Sequence, residues 1–297
     1  MNDYTAAYYE MLFEENSLEN LYTEKLITFG NKAYPKYGNV VIMAGGGGSG
    51  KGFQIANMLG IDAKVLDIDM LKEFILKSKY FQKEILERFN VDIFKLSLNN
   101  AEHTKLIHSI IRDLKLIPKY TNTILNNIKN VIEKPNLIFD KTCSSLKDIL
   151  EVSNSVQDVG YDIKNIHLVW VLTKYETALI QNQQRSRQIP DDILLVTHIG
   201  TASVFNTILT EPTVLNNYLN GDIFISFNQA GIGTHVKLTN TNKLYVTDFD
   251  YIQIKEQGKP IMPVSKINQE IFDKIAEYVP SQPIKYTWQH IKDFSKD

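Results

Sequence analysis

The chain predicts an α/β protein, with a parallel five-stranded sheet, helices on both faces, a helical insertion after the second strand and extensions at both ends. Three observations carry that expectation. Apolar runs alternate with helical patterns along most of the chain. The runs are continuously apolar rather than every second residue, as in strands covered on both sides. The first run, from Asn39 to Ala44, feeds straight into Gly45-Gly46-Gly47-Gly48-Ser49-Gly50-Lys51-Gly52.

Residues 1–36 read as an amphipathic helical extension, because Tyr8, Tyr9, Leu12 and Phe13 can share one face. Gly30 and Pro35 mark the approach to the first strand, near 38–44. A helix is expected from Lys51 to about Leu59, with Gly60 as its stop. The second strand is Ala63–Asp67. From Met70 to about Lys129 the pattern is helical, with Asn99 and Asn100 in a break, and 77–130 forms the insertion. The third strand is Leu137–Phe139, ending in Asp140. A helix from Ser144 or Ser145 runs to about Val159, where Gly160 stops it. The fourth strand is Ile166–Leu172. A helix over 175–185 follows, and Pro190 opens another with Asp191 and Asp192 in its first turn. The fifth strand is Ile223–Phe227. The core is thus expected over 37–230. Beyond it, 231–297 should hold a hairpin around Thr239–Asn242, a strand at Ile252 and Ile254, and helices near 266–279 and 287–294.

The chain has 297 residues, 43% hydrophobic and 22% charged, which suits a globular core. A net charge of -2 argues against the electrostatic footprint of tight, nonspecific nucleic-acid binding. A single cysteine, Cys143, excludes an internal disulfide and suits a reducing compartment. The start, Met-Asn-Asp-Tyr, lacks a signal-peptide pattern, and the apolar run around 168–172 is too short to span a bilayer. A cytoplasmic location without membrane contact is expected.

Gly45-x-x-x-x-Gly50-Lys51 has the spacing of a phosphate-binding loop, in which main-chain N–H groups surround a polyphosphate and one lysine neutralises it. The Gly50-Lys51 pair favours a triphosphate over a dinucleotide, whose loop needs no lysine. Gly45, Gly46, Gly47, Gly48, Ser49, Gly50, Lys51 and Gly52 are therefore the expected cofactor-binding residues, with ATP the expected ligand and GTP the alternative. Gly52 stands where a Ser or Thr hydroxyl normally meets Mg²⁺, so carboxylates, phosphate oxygens and water must hold the metal. Asp67 and Asp69 close the second strand at the edge where ligands sit in an open α/β sheet. One can accept a proton from an attacking hydroxyl, and the other, Asp67, can hold Mg²⁺ through water. Asp69 can instead cap a helix starting at Met70. Asp140 ends the third strand. Arg185 and Arg187 can clamp a transferring phosphoryl group or simply face solvent at a helix end. The six histidines lack metal-ligand spacing and read as core or surface residues.

Taken in order, these pieces resemble the zeta-toxin family of P-loop kinases, particularly the zeta-like proteins of large tailed bacteriophages. The likeness covers roughly residues 38–230. It rests on the glycine loop with Lys51, Asp67-Ile68-Asp69 with Lys72, Ile138 to Thr142, Gly160-Tyr161, and Asn182, Arg185, Arg187, Ile189-Pro190 and the helix carrying His198. The resemblance implies that Lys51 binds the β- and γ-phosphates and that Asp69 is the base. It implies that Asp140 and Thr142 hold the acceptor and that Arg185 and Arg187 contact the transferring phosphate. Toxins of this type phosphorylate UDP-N-acetylglucosamine on a sugar hydroxyl.

The function expected is therefore ATP-dependent phosphoryl transfer to a hydroxyl of a nucleotide sugar, nucleotide or nucleoside-like acceptor, with the insertion 77–130 closing over that acceptor as a cap to exclude water. The alternatives are a polynucleotide or modified-base kinase, and an ATP-binding interaction protein without turnover, which Gly52 keeps open. An antitoxin-like protein is a candidate partner through the N-terminal extension. If phage-encoded, the chain would work in the host cytoplasm.

Overall fold

A computed structural model describes residues 37–57, 59, 61–185, 188–228, 235–238, 244–248 and 251–261. The expected N-terminal helices, Gly60, Arg187 and the helices expected near 266–279 and 287–294 lie outside the described residues.

The strands are β1 (Val40–Ala44), β2 (Lys64–Asp67), β3 (Leu137–Asp140), β4 (Ile166–Thr173), β5 (Ile223–Asn228), β6 (His235–Leu238), β7 (Leu244–Asp248) and β8 (Tyr251–Lys255). The helices are α1 (Lys51–Asn57), α2 (Ile68–Lys77), α3 (Lys79–Phe89), α4 (Ala101–Asp113), α5 (Leu116–Ile128), α6 (Leu146–Asp158), α7 (Tyr175–Gln184) and α8 (Asp191–Thr210). The main sheet runs β2-β3-β1-β4-β5-β8. Its first five strands are parallel, as the alternation of apolar runs and helical patterns predicts. The sheet has one strand more than expected: β8, from beyond residue 230, pairs antiparallel with β5 and sets Ile225 opposite Ile252. The separate β6–β7 ribbon occupies the expected hairpin.

Every residue of β1 is buried, as a central strand requires. Val40, Ile42 and Ala44 join a large core with α2 to α6 and α8, whereas Val41 and Met43 face a smaller cluster that Ile55 of α1 covers. The helical stretch after β2 is four α-helices rather than two. Ser78 ends α2 and caps α3, Asn100 caps α4, and Asn90 and Lys115 adopt left-handed conformations at φ 54°. The left-handed turn at Lys115 separates α4 from α5, and Pro118 stands in the first turn of α5, where the missing N–H costs nothing. Helix α8 is long and apolar enough by composition to cross a membrane, with a mean hydropathy of 1.5. Its Leu194, Val204, Phe205, Ile208 and Leu209 are buried in the protein instead, and Phe205 stacks on Trp170 of β4 at 4.3 Å.

Candidate active site

Beyond the carboxyl ends of β1, β2 and β3 lies a cavity of about 1020 Å³. Its walls bring together Gly47 to Phe53, Asp67, Asp69, Lys72, Asp140, Thr142 and Arg185, residues that span nearly 140 positions of chain. Parallel strands place their carboxyl ends on one edge, so the turns that leave them converge there.

The glycine run is explained largely by packing. A Cβ on Gly46 would strike the His198 ring, and one on Gly47 would lie 2.7 Å from Leu194 Cδ1. A Cβ on Gly48 would lie 2.5 Å from the carbonyl oxygen of Ala178, and Gly48 is itself left-handed at φ +67°. One on Gly50 would strike Asn228. Four neighbours from α7, α8 and β5 thus exclude a side chain at four different positions. Gly45 and Gly46 do not line the cavity, whereas Gly47 to Gly52 do. At Gly52 a Cβ would meet nothing within 4 Å, so the missing hydroxyl is not a steric necessity. The loop is further braced where Thr173 Oγ1 and Asn228 Nδ2 both donate to the Ser49 carbonyl at 2.7 Å.

Lys51 Nζ donates to the Gly45 carbonyl at 2.8 Å and lies 3.7 Å from Asp140 Oδ1. Its ammonium thus occupies the loop mouth with partners that phosphate oxygens can replace.

The acids differ from the expected arrangement. Strand β2 stops at Asp67 and α2 begins at once at Ile68, so the two carboxylates are not strand neighbours on one side. The helix cap is Asp67 and not Asp69: its Oδ1 accepts from Asp69 N–H at 2.8 Å. Asp69 sits in the first turn of α2, and Lys72 Nζ donates to its Oδ1 at 2.9 Å. Lys72 is only 9% exposed. Burial pushes its ammonium pKa down, Asp67 opposes that, and Arg185 adds to it. Thr142 lines the cavity, while its carbonyl accepts from Gly45 N–H at 3.1 Å and from Thr201 Oγ1 at 2.8 Å.

Arg185 follows α7 and reaches the cavity wall. Its loop is shaped by Asn182, which donates to the Ile189 carbonyl at 2.7 Å and accepts from Ile189 N–H at 3.0 Å. Gln188 N–H donates to the Leu98 carbonyl at 3.2 Å, tying this loop to the insertion. The insertion contributes Thr104, Lys105 and His108 of α4 to the cavity. Cys143, beside the site, is fully buried with its thiol pushed up to about 12, chiefly by burial, and so is a poor nucleophile.

Among the described residues no group of three His, Cys, Asp or Glu side chains gathers around one point. The oxygen donors at Asp67, Asp69 and Asp140 suit a hard cation that takes its other ligands from phosphate and water, as Mg²⁺ does. The resemblance names the helix carrying His198 but gives the ring no role; its Nε2 lies 2.8 Å from the Gly47 carbonyl. The sequence likewise places residues 77–130 over the acceptor without marking α4 as the helix that reaches the cavity. Neither contact carries a local signal, because both join segments far apart in the chain.

No protein-family model and no curated protein matches the chain. Solved structures similar to it include AvrRxo1-ORF1:-ORF2 with ATP, at 10% identity and a TM-score of 0.43 over 88% of this chain and 75% of that one. Another comes from the PezAT chromosomal toxin-antitoxin system of the human pathogen Streptococcus pneumoniae, at 11% identity and a TM-score of 0.44 over 98% and 94%. A third is deoxyadenosine kinase from M. mycoides, at 12% identity and a TM-score of 0.26 over 58% and 85%.

Proposed function

We propose that the chain is an ATP-dependent phosphotransferase that moves the γ-phosphate to a hydroxyl of a nucleotide sugar, nucleotide or nucleoside-like acceptor. The observation that carries this reading is the meeting of the glycine loop, the acids at the ends of β2 and β3, and Arg185 in one cavity. Gly47 to Lys51 hold the polyphosphate, and Lys51 exchanges its contacts with Gly45 and Asp140 for the β- and γ-oxygens. Asp69 accepts the proton of the acceptor hydroxyl as its oxygen bonds to the γ-phosphorus, and ADP departs. Arg185, with Arg187, balances the charge on the transferring group. Asp140 and Thr142 position the acceptor, and α4 walls it from water. Mg²⁺, held by Asp67 through water and by phosphate oxygens, would neutralise charge on the polyphosphate when bound.

The test is incubation with γ-labelled ATP and a panel of nucleotide sugars, nucleosides and oligonucleotides, comparing wild type with Lys51→Ala and Asp69→Asn. Label should appear in one acceptor and be lost in both variants. Label in an oligonucleotide alone would favour the polynucleotide kinase. ATP binding with no labelled acceptor would favour a nucleotide-binding interaction protein, the reading supported by the absent hydroxyl at Gly52.

A further inference from the structure

Helix α8 holds both main-chain polar groups of Gly47. Gly47 N–H donates to Thr197 Oγ1 at 3.1 Å, and His198 Nε2 donates to the Gly47 carbonyl at 2.8 Å. The His198 ring also fills the space that a Gly46 side chain would need. Tyr175 of α7 packs edge-on against that ring at 5.8 Å, which limits its rotation. One turn further along α8, Thr201 Oγ1 donates to the Thr142 carbonyl that also receives Gly45 N–H. The first part of the loop is therefore anchored to one helix directly at Gly47, through Thr197 and His198, and indirectly at Gly45, through Thr142.

His198 itself does not line the cavity, so it has no direct contact to offer a ligand there. The physical consequence lies in the cost of ordering. A glycine-rich loop loses more backbone freedom on fixing than any other sequence. Each residue fixed only when ligand arrives subtracts from affinity. A neutral imidazole donating to Gly47 removes part of that cost beforehand. Loss of solvation keeps the ring neutral, its pKa down at about 4.

We propose that His198 is a positioning residue for triphosphate binding, holding Gly47 so that Gly48 to Lys51 keep their shape before nucleotide arrives. This rests on the reading of that loop as the ATP site. Two measurements on the full chain separate the two ideas. In the nucleotide-free protein, main-chain amides over 45–51 should exchange hydrogen at least several-fold faster in His198→Ala than in wild type. With Mg²⁺ and ATP as the probe, calorimetry should show an affinity about tenfold weaker in His198→Ala, the loss expected for one hydrogen bond. His198→Gln, whose amide can donate to the same carbonyl, should recover most of both and guards against a simple folding defect. Unchanged exchange over 45–51 in His198→Ala would overturn the inference. So would equal ATP affinity in all three proteins. Faster exchange with no ATP uptake by wild type would leave His198 as the loop's anchor, overturn its role in triphosphate binding and sink the ATP reading.

Discussion

Lys72 Nζ stands 2.9 Å from Asp69 Oδ1, one helical turn along α2, with the lysine almost wholly buried and the carboxylate at the cavity wall. The pair restrains the proposed base in one orientation. Removing the ammonium should therefore cost turnover more than stability. Lys72→Met is expected to lower the phosphotransfer rate about tenfold or more while changing stability by roughly 1 kcal/mol, because the Asp69 carboxylate left behind is partly exposed. Lys72→Arg should retain most of the rate. In an Asp69→Asn background the lysine substitution should add little, because the group it orients is gone. Steady-state rates and thermal melts of wild type, the three single variants and the double variant check this.

Two glycines of the phosphate loop should respond oppositely to alanine. Gly48→Ala forces a Cβ against the Ala178 carbonyl at a left-handed residue and should cost about 2 kcal/mol or more. Gly52→Ala enters open space on α1 and should add about 0.5–1 kcal/mol through helix propensity. Chemical denaturation of both variants measures the difference.

Gly52→Ser restores a hydroxyl next to Lys51 without a steric obstacle. It should lower the Mg²⁺ concentration giving half-maximal ATP binding by several-fold. A magnesium titration at fixed ATP, with and without the substitution, reads this directly. An unchanged midpoint would mean that the metal does not approach residue 52.

His198 carries a pH dependence whose sign is set by its depressed pKa, about 4 against an ordinary 6.5. The unfolded chain binds a proton at this site below about pH 6.5, and the folded protein resists until about pH 4. The stabilisation is full above pH 6.5 and is progressively lost as pH falls toward 4. His198→Gln should flatten that part of the stability–pH curve, measured by denaturant midpoints across the window.

At the opposite edge of the sheet, Asp222 is fully buried and sits between His167 Nδ1 at 3.2 Å, Gln253 Nε2 at 3.0 Å and Gln257 N–H at 2.8 Å. These contacts join β4, β8 and the chain just before β5. Asp222→Ala takes the shared acceptor from the half-buried Gln253 amide and Gln257 N–H and should cost roughly 2–4 kcal/mol, with Asp222→Asn costing less. Urea titration of the two variants checks the order.

The strands, the phosphate loop and the acids that end β2 and β3 were readable from residue order, because each is written locally. A buried strand is a short apolar run, a phosphate cradle is mostly backbone, and a helix start needs one polar side chain two or three residues ahead. The exact cap, Asp67 rather than Asp69, turned on where β2 ends, and local pattern left that open by one or two residues. Folding alone assigned the rest. Why four glycines stand together, how β8 completes the sheet, and how α4 and His198 reach the site all depend on surfaces meeting across more than a hundred residues. Side-chain periodicity records that a face is buried but carries no mark of which distant partner buries it.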